Sequence, residues 1–135
     1  MATLDYVVLS EFARVDPTGL VTIVGGSFDR VRAPERGSQQ LIFVTLRALL
    51  EETESSTGFE VKVRPPEGQF EIGITGQAAR RPDALPVDGR VGVVAAVGLI
   101  VPLQAEGRHE VQVSLDEGQT RLLPFMVEFA QPAGV

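Results

Sequence analysis

The chain has 135 residues, a length suited to one domain, and it contains no cysteine, which excludes disulfides, thiolate catalysis and Cys-ligated zinc. Twelve basic residues against 18 acidic ones leave a net charge of −6, a field that repels phosphate backbones and anionic lipid, so neither nucleic acid nor a membrane surface is an expected partner. The opening MATLDYVVLSEF lacks a basic segment ahead of an apolar stretch, and the longest apolar run, Val91 to Leu103, is too short to span a bilayer as a helix and contains Pro102, so a cytoplasmic location is expected.

Along the chain the dominant hydrophobic period is two, the period of a half-buried strand. The first strand is expected over 4–15, where Leu4, Tyr6 and Val8 share a face and Tyr6 packs inward with its hydroxyl at an edge. The turn Asp16-Pro17-Thr18-Gly19 has proline second and glycine fourth, and it joins that strand to a second over 20–33 as a hairpin. Gly25 and Gly26 interrupt this second strand. A phosphate-cradling loop would open a helix, whereas SFDRVRA reads as more strand, so the two glycines are assigned to a bend that passes the strand between sheets. Arg30, beside the bend, is expected to pair with Asp5 or Glu11 of the hairpin partner.

The segment 40–50 is apolar on both faces, with Leu41 and Phe43 opposite Ile42, Val44 and Leu46. Its continuation RALLEETE (47–54) is the best helical candidate in the chain, at a turn or two. Then come 58–64, with Phe59, Val61 and Val63 on one face, and after Pro65-Pro66-Glu67-Gly68 a strand over 69–76 with Phe70, Ile72 and Ile74 on one face. Residues 76–90 form the longest irregular piece, with Pro82, Pro86 and Gly89, and serve either as a crossover between sheets or as a binding loop. The strand 91–101 is again apolar on both faces: Val91, Val93, Ala95, Val97 and Leu99 oppose Gly92, Val94, Ala96, Gly98 and Ile100. A hairpin through Asp116 to Gln119 joins 108–115 to 120–129. The expected fold is therefore all-β: a two-sheet antiparallel, Greek-key-like β-sandwich of about eight strands over residues 1–130, with a flexible tail at 131–135. One face of each sheet in such a sandwich ordinarily meets water. The second apolar faces of 40–50 and 91–101 therefore need a cover, which is a long loop, a short helix or another copy of the chain.

Chemistry-bearing constellations are scarce. His109 is the only histidine, so a metal site would have to rest on carboxylates, and the densest acidic cluster, Glu51, Glu52 and Glu54, reads as a solvated rim rather than a calcium loop. Ser27 has Gly25 before it but Asp29 after it, which breaks the Gly-x-Ser-x-Gly elbow of a nucleophile. The absence of tryptophan and the single tyrosine argue against a sugar platform. No cofactor is implied.

Three segments resemble a family of short bacterial proteins of unknown function. They are LDYVVLSEFARV, with Asp5, Tyr6, Leu9, Phe12, Ala13 and Val15; GLVTIVGGSFDRV, with Gly19, Leu20, Gly25, Gly26, Phe28 and Asp29; and RLLPFMVEF, with Leu123, Pro124, Phe125 and Val127. The resemblance covers about the first 34 residues well and the closing strand fairly. It implies a β-sandwich without a known activity and brings no catalytic residue.

These readings favour a non-enzymatic structural or protein-interaction module that self-associates or binds another protein through apolar outer strand faces. Leu41, Phe43, Gly92, Val94, Ala96 and Gly98 are its candidate interface residues. The first alternative is a ligand-binding sandwich with the 51–57 and 76–90 loops as its mouth and Arg80, Arg81 and Asp83 as candidate site residues. The second is a carboxylate-based hydrolase, which would need two acids about 5–10 Å apart in a cleft.

Overall fold

The structure, a computed structural model, describes residues 1–68, 71–116 and 118–130. It is all-β, and none of its described residues is in a helix long and apolar enough to cross a membrane. The strands are β1 (Thr3–Ser10), β2 (Phe12–Val15), β3 (Val21–Val24), β4 (Arg30–Ala33), β5 (Gln39–Glu51), β6 (Ser56–Arg64), β7 (Ile72–Ala79), β8 (Arg90–Pro102), β9 (Gly107–Leu115) and β10 (Thr120–Phe129). They form a three-stranded sheet of order β1-β5-β8, a five-stranded sheet of order β4-β10-β9-β6-β7, and a separate β2-β3 hairpin.

The period-two stripes become the core. Phe59, Val61 and Val63 of β6 and Val111, Val113 and Leu115 of β9 are buried, facing Ile42, Val44, Leu46, Ala48 and Leu50 of β5 and Val91, Val93, Leu99 and Val101 of β8. Burying each such aliphatic side chain contributes about 1.5–3 kcal/mol, and both sheets supply a continuous row. Glu60, Lys62 and Arg64 alternate outward.

The described residues form ten strands rather than about eight, because both long N-terminal strands break. The first breaks at Glu11, whose N–H donates to the carbonyls of Val24 and Gly25 (3.1 and 3.3 Å). The second breaks between Val24 and Arg30. There Gly25 sits at φ +63° and Ser27 at φ +64°, and the Ser27 N–H donates to the Leu9 carbonyl at 2.7 Å. A left-handed backbone cannot continue a ladder. The break also sends β4 to the five-stranded sheet, where it pairs with β10 in parallel, a departure from the purely antiparallel expectation. Arg30 accordingly pairs with Glu128 of β10, not with Asp5 or Glu11, and Asp5 pairs with Arg47 at 2.6 Å. The Asp16 turn closes the β2-β3 hairpin as expected: its carboxylate accepts the N–H groups of Thr18 and Leu20 (2.9 and 3.1 Å), and the Thr18 hydroxyl and these bonds hold its pKa below the ordinary value.

No helix forms over 47–54. Strand β5 runs on to Glu51 because every residue from Gln39 to Glu51 has a partner in β8, and a two-residue turn follows. Strand β7 continues to Ala79, so the irregular connection shrinks to 80–89. Gln69, Phe70 and the tail 131–135 lie outside the described residues, so the expected inward Phe70 and the fraying tail are not placed.

The outer face of the three-stranded sheet is covered in part by the chain's own hairpin. Strand β2 packs across β5 and β8, and the Phe12 and Phe43 rings meet at 5.4 Å. Beneath this cover Ser10 and Thr45, both on the outer face, are fully buried. The Gly25 break aims the hairpin, and a Cβ there would also stand 2.7 Å from the Glu11 side chain. Replacing Gly25 with alanine is expected to lower unfolding free energy by about 1–2 kcal/mol, read from urea midpoints at constant slope.

Candidate functional site

His109 faces the core from the start of β9 and is 1 % exposed. Its Nδ1 lies 3.2 Å from the Gly107 carbonyl, its ring stacks on Phe125 at 5.2 Å, and its Nε2 has no partner among the described residues. Among the described residues its ring partners are the Gly107 carbonyl and Phe125, with no nucleophile or acid bonded to it. Among the described residues no three His, Cys, Asp or Glu side chains gather where a metal ion could sit. Glu51 and Glu54 instead hold the N-terminal ammonium at 2.7 and 3.4 Å.

The outer face of the three-stranded sheet carries two features, one at each end of β5 and β8. At the end nearest Gln39, an apolar ridge runs from Val24 through its cross-strand partner Phe12 to Phe43, then to Leu41 and its partner Ile100. Leu41 is 48 % exposed and Ile100 58 % exposed, so the hairpin stops short of them. Gly98 lies under this ridge: the Phe43 and Leu41 side chains pass 3.1 and 3.5 Å from where its Cβ would be. Val94 and Ala96 are half-buried and Gly92 is exposed.

Strand β8 is also an edge. The Leu9 carbonyl points away from β5, because it accepts from Ser27, so Leu9 and its partner Val44 form a non-hydrogen-bonded pair. The N–H and C=O of Val44 are then turned to β8, where they meet Val97. The same parity continues to Leu103, which bonds Gly37 and Ser38. The N–H and C=O groups of Gly92, Val94, Ala96, Gly98 and Ile100 therefore point off the sheet. The other edge of this sheet is occupied: Gln119 and Arg121 bond the Leu4 and Asp5 backbone.

At the far end, a cleft of about 570 Å³ opens between the hairpin tip (Thr18, Gly19), the 80–89 loop and the sheet floor of Arg47, Leu49 and Gly92. The two loops read from sequence as one mouth do meet, but they are tied together. The Arg80 guanidinium donates to the carbonyls of Glu52 (3.0 Å) and Ala84 (3.1 Å), and its N–H to that of Ser55 (2.8 Å). Arg80 is thus spent on holding the loops, while Arg81 and Asp83 line the cleft on the other side, paired loosely at 3.5 Å. Arg47, Arg90 and the hairpin tip were not legible as part of this site, because only the folded-back hairpin brings them to it.

The chain belongs to the family of unknown function DUF6941, whose sequence profile matches residues 5–128. No curated protein matches the chain.

Burial pushes the His109 imidazole below its ordinary value of 6.5, with the Gly107 carbonyl opposing only in part. The folded chain keeps it neutral while the unfolded chain takes up a proton near pH 6.5. Its contribution to stability is present above that pH and is lost as pH falls toward the lowered folded value, by up to about 1.4 kcal/mol per pH unit. Urea midpoints should fall between pH 7.5 and 5.5 in the parent protein, and fall less in His109→Gln.

Proposed function

We propose that the protein is a non-enzymatic, cytoplasmic bacterial interaction module that associates with a second copy of itself through the uncovered end of the three-stranded sheet. The observation that carries this reading is the apolar ridge of Leu41, Phe43 and Ile100 lying directly beside the edge of β8, which no strand among the described residues pairs. An edge strand with an uncharged run as long as Val91 to Pro102 is a template for another strand unless something blunts it. Strand β4 is short and carries Arg30 and Arg32, and β1 is capped by side chains, but β8 has no charged residue from Val91 to Leu103. Its neighbour across the sandwich, β7, carries none either.

A second copy fits this edge because the sequence is self-complementary there. Two β8 strands set antiparallel about Ala96 place Val94 opposite Gly98 and Gly92 opposite Ile100, with no like charges facing each other. The ridge then adds apolar area beside the new ladder, as a stable interface requires.

Sedimentation velocity across the micromolar range should show a dimer that dissociates on dilution. Leu41→Lys and Ile100→Lys, both at exposed positions, should weaken it at least tenfold while leaving the circular dichroism unchanged. A strict monomer at high micromolar concentration, or variants that associate as tightly as the parent, would remove the reading.

A further inference from the structure

The cleft at the other end of the same face is a separate matter. Its lining gathers three guanidinium groups, Arg47, Arg81 and Arg90, against two carboxylates, Asp83 and Asp88, in a chain whose net charge is −6. With Asp5, which pairs with Arg47 from outside the lining, the charges balance, so the cleft is locally neutral in an acidic molecule.

Each guanidinium is held in place by the fold. Arg47 lies flat over Gly92, where any side chain would collide with it, and one of its Nη atoms is paired with Asp5. Arg81 passes 3.1 Å from where a Cβ of Gly19 would be, so the hairpin tip and the 80–89 loop close on each other at this arginine. Arg90 reaches the Met1 and Leu49 carbonyls and the Thr3 hydroxyl only at 3.3–3.5 Å. A guanidinium has five N–H donors, more than these contacts use, and all three groups line the cleft.

The apolar half of the site is equally specific. Leu85 is 82 % and Val87 74 % exposed, yet their loop is fastened at both ends. Arg80 bonds the Ala84 carbonyl, the Ala84 N–H bonds the Arg81 carbonyl, and Val87 and Arg90 exchange both backbone bonds at 2.8 and 3.0 Å. A fastened loop that still leaves two large aliphatic side chains in water presents them.

We propose that this cleft binds a small amphiphilic oxyanion. The carboxylate or phosphate group docks on Arg47 and Arg81, and an aliphatic portion lies against Leu49, Leu85 and Val87. Arginine forks suit planar carboxylates and phosphates, and the volume suits a ligand of this size. The reading does not require self-association, but an antiparallel β8 ladder would bring Gly92 of the cleft floor opposite Ile100 of the second copy, so the titration is run on dilute protein shown to be monomeric by sedimentation.

The test is an amide-resolved NMR titration with four probes: octanoate, hexyl phosphate, neutral octanamide and inorganic phosphate. Octanoate or hexyl phosphate should saturably shift the amides of Gly19, Gly92 and 83–88, and the comparison of the two decides between carboxylate and phosphate. Octanamide and inorganic phosphate should bind at least tenfold more weakly. Arg81→Ala and Leu85→Ser, both at surface positions, should each weaken the amphiphile at least fivefold with the rest of the spectrum preserved. The proposal is overturned if neither amphiphile shifts these amides, if shifts centre on Leu41 and Ile100 instead, or if both variants bind like the parent.

Discussion

A β-sheet that is apolar on both faces has to be covered twice, and that requirement organises this molecule. Strands β5 and β8 pair over their whole length and put aliphatic side chains on either side of the sheet. One face meets the five-stranded sheet and becomes the core. The other cannot be left to water without exposing a contiguous apolar surface. The chain answers with its own N-terminal segment, which leaves β1 at Glu11, crosses β5 and β8 as β2, and returns as β3. Strand β2 packs on both strands, and its Ala13 is buried in consequence.

The cover has a polar side effect and a geometric limit. Ser10 and Thr45 are sealed beneath it, and while the Ser10 hydroxyl donates to the Phe12 carbonyl at 3.1 Å, the Thr45 hydroxyl finds no partner among the described residues. An unsatisfied buried hydroxyl costs about 1–3 kcal/mol, so the packing of the hairpin outweighs it. The hairpin is also short. Its four-residue strands reach neither Leu41 and Ile100 at one end nor the floor of Arg47 and Gly92 at the other. Both candidate sites are therefore the two uncovered ends of one incompletely covered face.

The sequence made part of this legible. Strict alternation identified β6 and β9 and the residues they bury, because a strand with one wet face writes its orientation into every second position. The double-faced character of β5 and β8 was legible for the same reason, as was the need for a cover. The identity of the cover was not, since the breaks depend on hydrogen bonds from Glu11 to Val24 and Gly25 and from Ser27 to Leu9, between residues that only the folded hairpin brings together. Strand β4 beside β10 was equally hidden: it links Arg30 to Met126 in parallel, and parallel partners leave no turn between them to read. In 47–54 the apolar residues on both faces blurred the period and suggested a helix, where cross-strand pairing with β8 decides for strand. Of the candidate site residues, Arg81 and Asp83 stand in a cleft and Arg80 is structural, a division that side-chain direction settles and loop composition does not.

The claim that the outer face is completed by a second molecule can be examined residue by residue with amide hydrogen exchange. Gly98 and Ile100 point their N–H groups off the free edge, whereas Val97 and Leu99 point theirs into the ladder with β5. Comparing exchange in dilute and concentrated protein should slow Gly98 and Ile100 selectively as concentration rises, with Val97 and Leu99 protected throughout. Exchange at Gly98 and Ile100 that is fast and identical at both concentrations would contradict the account.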